Sequence, residues 1–474
     1  MMHPLESKVL DINSAALGVS TSVLMENAGK AVADNVLAMN IDGRVLIVCG
    51  PGNNGGDGIV AAKYIAQARR DVTVALTVPK ESVKSQLMLS NIYHLSRMVK
   101  LREDVTPEMA REFPIIIDAM LGTGLRSEPR EPYSTWIKSI NSSGARVISV
   151  DVPTGLGTSL AVKPELTVTF HDSKEGMDAK NSGRIVIADI GIPAEAAIYT
   201  GPGELAHYPV PEKNSHKGQN GRLLIIGGGP YAGAPALSAF AAQAIGADLV
   251  TIASPESSAS VISSYSPNFI VRPLEGKILD KSHIPYIMEL AGDADAVLIG
   301  PGLGRADETV KAVREILRKL DKPATVDADG LFAMAGAKIS PFKVPAVLTP
   351  HAREFAGLGG PDEPTPEAVD EIARKFNATV LLKRPIDIIS DGKNRKLNRT
   401  GNPGMTVGGT GDVLAGIVAG LMAKKVAAFN AARIGAYISG YAGDVAFESL
   451  GYSMTATDVV ACIPSALKRG LDKL

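Results

Sequence analysis

The stretch Arg44-Val45-Leu46-Ile47-Val48-Cys49-Gly50-Pro51-Gly52-Asn53-Asn54-Gly55-Gly56-Asp57-Gly58-Ile59-Val60-Ala61-Ala62-Lys63-Tyr64-Ile65-Ala66 decides the fold. The apolar run 45–49 reads as a buried strand, and from Ile59 apolar residues recur at helical spacing. Residues 50–58 between them read as a glycine-rich turn. Strand, turn and helix start make half of a βαβ unit. Glycines let the backbone turn tightly and approach a ligand. A helix N-terminus presents free N–H groups to an anion. Asn53, Asn54 and Asp57 add groups suited to sugars, amides or a cation. The spacing fits neither the dinucleotide fingerprint nor the Walker loop.

The alternation extends along the chain. Residues 7–40 read as two helices, with Ser22 as N-cap of the second. Strands are expected at 45–49, 72–77, 115–118, 147–150, 166–169 and 185–188, separated by helical patterns. Between about 191 and 220 the pattern lapses into Pro193, Pro202, Pro209 and Pro211 with Gly201 and Gly203, which marks a domain boundary. A second series follows, with strands expected at 223–226, 249–252, 297–299, 325–327, 347–349, 380–382 and 386–389, and helices closing the chain. The expected class is α/β: a Rossmann-like α/β/α domain with a mainly parallel sheet over 1–205, then a second α/β domain over 212–474.

Bulk properties agree. At 474 residues, two or three cores are expected. Hydrophobic content of 45% with 21% charged residues describes a soluble globular chain. A net charge of −1 gives no footprint for nucleic acid or an anionic membrane. Cys49 and Cys462 offer neither a disulfide framework nor zinc spacing, which fits the reducing cytoplasm. No signal-peptide pattern is apparent, and the longest apolar stretch, 413–423, is too short to span a bilayer.

In the first half, Asp118 ends one expected strand and precedes Ala119-Met120-Leu121-Gly122-Thr123-Gly124-Leu125-Arg126. Asp151 ends the next, in Ser149-Val150-Asp151-Val152-Pro153-Thr154-Gly155. Ligands of parallel sheets bind outside the carboxyl ends of strands, so Asn54, Asp118, Asp151 and Thr154 are expected in one crevice. An oxygen-only set favours a hard cation or sugar hydroxyls over zinc.

The ordered motifs GPGNNGGDG, IIDAMLGTGL and SVDVPTG resemble the epimerase domain of the NAD(P)H-hydrate repair enzymes, over roughly residues 1–205. That resemblance implies binding of NAD(P)HX, the cofactor hydrated at C6 of the nicotinamide ring, and interconversion of its R and S forms. It implies potassium on Asn54, Asp118 and Thr154. It places substrate on Asn53, Asn54, Gly55, Gly56 and Asp57, on Gly122, Thr123, Gly124, Leu125, Arg126, Ser127 and Glu128, and on Asp151. Asp118 becomes the expected acid/base group, titrating low beside a cation and so suited to proton abstraction. Thr154 stands where serine is more usual, and the segment after Gly155 is short.

In the second half the strongest signal is Gly401-Asn402-Pro403-Gly404-Met405-Thr406-Val407-Gly408-Gly409-Thr410-Gly411-Asp412, leading into a long helical pattern. Its glycines suit phosphate oxygens at a helix start. Asp412 on the first turn suits a base for a hydroxyl attacking a phosphoryl group. Gly300–Gly304, Asp327, Asp329, His351, Glu354 and Lys383 follow other expected strands and so share the crevice. His351 alone reads more readily as structural, and Glu354 as a magnesium or water ligand.

From about residue 212 onward the chain resembles the ADP/ATP-dependent NAD(P)H-hydrate dehydratases of ribokinase-like fold, through NSHKG, GPGLG, VDADG, LTPH and GNPGMTVGGTGDVLAG. The resemblance implies phosphorylation of the C6 hydroxyl of S-NAD(P)HX, followed by loss of phosphate. Asp412 is then the base, and Gly408, Gly409, Thr410 and Gly411 the anion hole. Lys383, Arg384, Pro385, Ile386 and Asp387, with Asn402, Pro403, Gly404, Met405, Thr406 and Val407, contact ADP or ATP and its Mg²⁺. Ala234, Gly304, His351, Ala352, Arg353, Glu354, Phe355, Ala356, Gly357 and Asp412 contact the hydrate. Arg384-Pro385-Ile386-Asp387 departs from the usual Gly-x-x-Thr. The resemblance further implies a homo-oligomer, with the first two helices as an interface. The alternative reading is a ribokinase-like small-molecule kinase fused to a nucleotide-binding module.

Overall fold

The alternation of short apolar runs with helical segments becomes two mainly parallel sheets, each covered by helices. The computed structural model describes residues 1–83, 85–95, 99–102, 104–125, 127–337 and 340–474. The chain divides into two units, Met1–Ala194 and Glu195–Leu474.

In the first unit, strands β1 (Val45–Cys49), β2 (Val72–Leu76), β3 (Lys100–Leu101), β4 (Ile115–Ala119), β5 (Arg146–Val150), β6 (Leu166–Phe170) and β7 (Arg184–Ala188) form one sheet. Its order is β3-β2-β1-β4-β5-β6-β7, and every pairing is parallel. β1, β4 and β6 are buried along their whole length, as a sheet with both faces covered requires. Alternation along β1 sends Leu46 and Val48 into the core with Trp136 and Ile137, and Val45, Ile47 and Cys49 into the core with Val32 and Ile59. The order reverses between β1 and β4, so their C-terminal loops splay apart and leave a crevice.

Two local expectations are corrected. The helix after β1 spans Asn53–Gln67, so Gly55, Gly56 and Gly58 lie inside it rather than in a turn before Ile59. A Cβ on Gly55 would sit 2.0 Å from the Gly50 carbonyl oxygen, and one on Gly58 would sit 2.6 Å from the Ala119 Cβ. These glycines therefore let the helix dock against β1 and β4. The second N-terminal helix, Thr21–Ala38, is capped by Ser20 and not Ser22; the Ser20 Oγ accepts the Val23 N–H at 3.4 Å.

In the second unit, β8 (Arg222–Ile226), β9 (Leu249–Pro255), β10 (Ile270–Leu274), β11 (Ala296–Ile299), β12 (Ala324–Val326), β13 (Ala346–Leu348), β14 (Thr379–Leu382), β15 (Asp387–Ser390) and β16 (Arg395–Asn398) run in the order β10-β9-β8-β11-β12-β13-β14-β15-β16. The β14–β15 and β15–β16 pairs are antiparallel and the others parallel. The reversal lies between β8 and β11. The helix Thr410–Ala423, buried from Val413 to its end, runs through the core.

The segment 195–207 packs with the second unit, so the division falls at the start of the 191–220 stretch where the pattern lapses. Thr200 donates its N–H to the Leu397 carbonyl at 2.8 Å, at the edge strand β16. Glu204 is fully buried between Arg433 (3.0 Å) and Lys396 (3.4 Å). Among the described residues, no helix is long and apolar enough to cross a membrane.

Candidate active sites

A cavity of about 550 Å³ opens in the first unit at the ends of β1 and β4. Asn53, Asn54 and Asp57 line it from the helix start, Met120–Gly124 from the loop after β4, and Asp151 from the end of β5. Leu10, Leu24, Met25 and Ile190 supply apolar wall. Gly50 brings the two loops together: a Cβ there would lie 1.7 Å from the Met120 carbonyl oxygen.

Three carboxyls, Asp11, Asp57 and Asp151, share this cavity with the ammonium groups of Lys8 and Lys174. Asp151 stands at φ 62°, a left-handed conformation rare outside glycine and often found at functional sites. Its Oδ1 lies 2.7 Å from the Lys174 Nζ, and Lys174 is only 3% exposed. Lys174 also donates to the Phe170 carbonyl at 2.8 Å and to the Thr169 Oγ1 at 3.1 Å, which fixes its head against Asp151. Asp57 is held well above the usual carboxylate range by burial first, then by Asp151 and Asp11. Asp11, from the helix Pro4–Ala16, is pushed up to about 6 by burial and by Asp151, with Lys174 opposing. Asp11 and Lys174 escaped the sequence reading. They sit in unremarkable local sequence, and only the packing of the first helix and of the 171–177 turn brings them to the cavity.

Asp118 lies beneath this wall, fully buried. Its two oxygens accept from the Thr154 Oγ1 (2.7 Å), the Thr154 N–H (2.9 Å), the Ser149 Oγ (2.9 Å) and the Met120 N–H (3.3 Å). Burial outweighs these donors and holds Asp118 above the usual carboxylate range. Asn54, Asp118 and Thr154 do converge, through the Asp118–Thr154 bonds and the Thr154–Leu121 bond beside Gly122, which faces Asn54. Among the described residues, the Asn54 side-chain oxygen and nitrogen are both buried without a hydrogen-bond partner. An orphaned amide oxygen beside a buried carboxylate and a hydroxyl is a donor set that fits a large monovalent cation. Of the remaining expected residues, Glu128 accepts the Ser159 N–H at 2.9 Å and so ties its loop to the 155–161 segment. Leu125 and Ser127 lie in that loop beyond Gly124, and Arg126 lies outside the described residues.

In the second unit a cavity of about 470 Å³ is lined by Lys383, Arg384, Pro385, Asp387, Asn402, Pro403, Met405, Thr406, Thr410 and Gly411, with Leu414 and Ala436. The loop above it is pinned. Asp444 accepts the Gly401 N–H and the Asn402 Nδ2–H, each at 3.0 Å, and Thr410 donates its hydroxyl to the Met405 carbonyl at 2.8 Å. Gly409 takes φ 98° as N-cap of Thr410–Ala423, which leaves the first N–H groups without a side-chain cap. Gly408 is exposed, while Gly404 is buried and Val407 half-buried.

Asp412, on the first turn of that helix, is pushed up to about 7 by burial and by Asp327, with Lys383 opposing. Lys383 bonds Asp327 at 2.8 Å, and Asp327 also accepts from the Thr349 Oγ1 at 2.9 Å. Burial works against the Lys383 charge, but Asp327 and Glu354 outweigh it and hold its pKa above normal. Asp329 accepts the Gly304 N–H at 2.8 Å. The chemistry-bearing ends of β11, β12, β13 and β14 thus meet around Asp412. Gly300, at φ 130°, makes this possible; a Cβ there would lie 1.8 Å from the Asp327 carbonyl oxygen.

Several of the expected contact residues also have structural roles. His351 caps the helix Ala352–Gly357, its Nδ1 accepting the Arg353 and Glu354 N–H groups, while Glu354 accepts the His351 N–H at 2.8 Å. Phe355 is fully buried in the core and Ala356 half-buried, leaving Ala352, Arg353 and Gly357 exposed. Arg384 donates to the Pro364 carbonyl at 2.8 Å, and Ile386 is exposed. Ala234 lies on the first turn of Gly233–Ala244, half-buried.

A parallel sheet with a crevice of carboxyls, followed by a mixed sheet with a glycine-led helix N-terminus that carries Asp412 on its first turn, defines a two-domain α/β enzyme whose second half is ribokinase-like. The family profile described as NAD(P)H-hydrate dehydratase matches residues 223–465, and that of the YjeF-related protein N-terminus matches residues 21–176. The chain is 42% identical to the bifunctional NAD(P)H-hydrate repair enzyme of Methanothermobacter thermautotrophicus over 99% of its length and 96% of that relative's. It is 41% identical to the enzyme of the same name from Archaeoglobus fulgidus, covering 98% of each chain. Among solved structures, a ribokinase-like superfamily protein from Enterococcus faecalis matches with TM-score 0.52 at 25% identity, over 58% of this chain and 96% of its own. The ADP/ATP-dependent NAD(P)H-hydrate dehydratase of Bacillus subtilis, co-crystallised with ATP/Mg²⁺, shares the fold with TM-score 0.50 at 24% identity, over 58% of this chain and 99% of its own. The chain belongs to the family of bifunctional NAD(P)H-hydrate repair enzymes.

Proposed function

We propose that this chain restores hydrated nicotinamide cofactors in two steps. The first unit interconverts the R and S forms of NAD(P)HX, and the second dehydrates the S form at the expense of ADP or ATP. The observation that carries the reading is Asp412: a carboxyl held near neutrality, on the first turn of a helix whose N-terminus is open to phosphate.

Dehydration follows from that placement. Phosphate oxygens of the nucleotide lie against the N–H groups of 408–411, with Lys383 beside them. Asp412 takes the proton of the C6 hydroxyl as its oxygen attacks the terminal phosphorus. The bond from phosphorus to the nucleotide breaks, and AMP or ADP leaves. The C6–O bond then breaks with its electrons on phosphate, the ring-nitrogen lone pair assists, and loss of the C5 proton restores the double bond. When bound with the nucleotide, Mg²⁺ would neutralise charge on its phosphates.

Epimerisation needs one group to protonate the leaving C6 hydroxyl and another to take a proton as water returns to the opposite face. Asp57, its carboxyl pushed above the usual range by burial, suits the first role, and Asp151, paired with Lys174, suits the second. Asp118, placed under the wall, holds the Met120 and Thr154 loops instead of meeting the reacting carbon. Asn54, Asp118 and Thr154 would hold potassium, which supplies a fixed positive charge under the loops. A homo-oligomer built through the first two helices belongs to this reading, supported by exposed Leu17 and Val23; a monomer by sedimentation would remove it. A cytoplasmic setting suits the free thiols of Cys49 and Cys462.

The test is to incubate mixed R,S-NADHX with ADP, with ATP or with neither, and to follow the return of the NADH absorbance. Complete recovery with nucleotide, accompanied by free phosphate, is expected. An accumulating phosphate ester of another small molecule, with no recovered NADH, would instead establish the kinase alternative.

A further inference from the structure

Next to Gly304, in the dehydratase unit, stands an arginine that the chemistry above does not use. Arg305 directs its Nε to the Asp329 Oδ1 at 3.0 Å. Its guanidinium carbon lies 4.5 Å from the centre of the Phe332 ring. Among the described residues its two terminal nitrogens have no hydrogen-bond partner, and the side chain is 62% exposed. Phe332 is itself 42% exposed, a large ring left at the surface.

Stability does not explain this arrangement. An ion pair whose arginine is this exposed adds little to stability, and ordering the arginine offsets part of that. What the pair and the ring achieve is orientation. The guanidinium lies over the Phe332 ring with its Nε on Asp329, and its two terminal nitrogens are left without a protein partner among the described residues. Such a fork matches two oxygens of a phosphate. Its anchor, Asp329, also holds the Gly304 N–H at 2.8 Å and lies close enough to Asp412 to raise its pKa. The reacting end and the fork therefore share one carboxylate between them.

We infer that Arg305, laid on Phe332 and steered by Asp329, binds a phosphate group of the dinucleotide hydrate while its ring reacts at Asp412. The inference rests on the dehydratase reading and names how that site recognises the remainder of its substrate. NADHX carries phosphates only in its pyrophosphate bridge, and NADPHX adds a 2′-phosphate, so the two substrates separate the two sources.

The experiment measures ADP-dependent dehydration of S-NADHX, S-NADPHX and the phosphate-free hydrate of reduced nicotinamide riboside by wild type, Arg305→Ala, Arg305→Lys and Phe332→Leu. For Arg305→Ala, KM for the dinucleotide hydrates is expected to rise about 10- to 100-fold, with kcat within about twofold, as loss of a charged hydrogen bond to substrate predicts. Arg305→Lys recovers part of that loss, and Phe332→Leu loses less than Arg305→Ala. On the riboside hydrate, wild type and Arg305→Ala are expected to be equal. A loss on both NADHX and NADPHX assigns the pyrophosphate, and a loss on NADPHX alone assigns the 2′-phosphate. Unchanged KM for both dinucleotides, a fall in kcat alone, or an equal loss on the riboside overturns the inference. Should wild type convert no hydrate at all, the dehydratase reading itself fails, which is a different result from any of these.

Discussion

Asp412 is the residue at which burial, charge and catalysis meet. Its pKa, pushed from 3.8 to about 7, means that the folded protein holds this proton more tightly than the unfolded chain does. Below about pH 4 the group is protonated in both states and has no effect on stability. As pH rises from about 4 to about 7 the folded state is progressively penalised, and above 7 the penalty is complete. Asp412→Asn removes the ionisation, so the variant is expected to be more stable than wild type above pH 7. The gain is at most about 4 kcal/mol at 1.36 kcal/mol per unit, and it vanishes towards pH 4. Dehydration should fall about 10²–10⁴-fold with nucleotide binding little changed. Thermal melts at pH 4.5 and 8 with parallel kinetics check both; a variant less stable at pH 8 refutes the electrostatic account. In the first unit, Asp151→Asn should slow R-to-S conversion by about 10²–10⁴-fold and leave dehydration of pure S-hydrate unchanged. Equal losses in both assays would deny Asp151 a role in proton transfer.

At the scale of elements, both crevices depend on glycine-first loops at the point where strand order reverses. Gly50-Pro51-Gly52 follows β1, and Gly300-Pro301-Gly302 follows β11. In each the first glycine meets a carbonyl from a neighbouring strand end at under 2 Å from where a Cβ would be, Met120 in one unit and Asp327 in the other. Gly50→Ala should therefore push the two loops of the first cavity apart, at a cost of about 1–3 kcal/mol. Epimerase activity is expected to drop while dehydration of S-hydrate persists. Gly300→Ala, strained additionally by its φ of 130°, should do the reverse. Assays of the two activities on each variant check the pairing; loss of both activities in either variant would refute it. The sequence showed these loops clearly but hid the extent of the helix behind the first. Gly55, Gly56 and Gly58 lower helix propensity, and only their packing against Gly50, Met25 and Ala119 makes a helix of that segment. β10 and β16 were missed for a related reason. Arg272 and Pro273, or Arg395 and Lys396, break the apolar run, which edge strands tolerate.

For the molecule as a whole, the unit boundary decides which fragments hold together. Glu204 is buried with Arg433 and Lys396, so a fragment beginning at 212 removes the carboxylate from two buried cations. Losing one partner of a buried pair costs about 3–5 kcal/mol. Residues 195–474 are thus expected to fold and dehydrate S-hydrate, and residues 212–474 to melt lower or fail to accumulate. Urea melts of the two fragments decide it, and equal midpoints would return the boundary to the later position.

By itself the sequence determined the α/β class, two successive parallel-stranded halves, and the loops that carry their chemistry. Apolar runs of strand length and glycine clusters before helices are local signals, and GPGNNGGDG and GGTGD keep them within a few residues. Tertiary structure alone decided which groups line the cavity. Asp118 and Asp151 read alike in sequence, yet one is locked beneath the wall by four donors and the other is turned into the cavity beside Lys174. Asp11, Lys174 and Arg305 carry no motif. Their roles come from a charge placed in a low-dielectric crevice or against a ring by chain that is distant in sequence, and no local pattern encodes that distance.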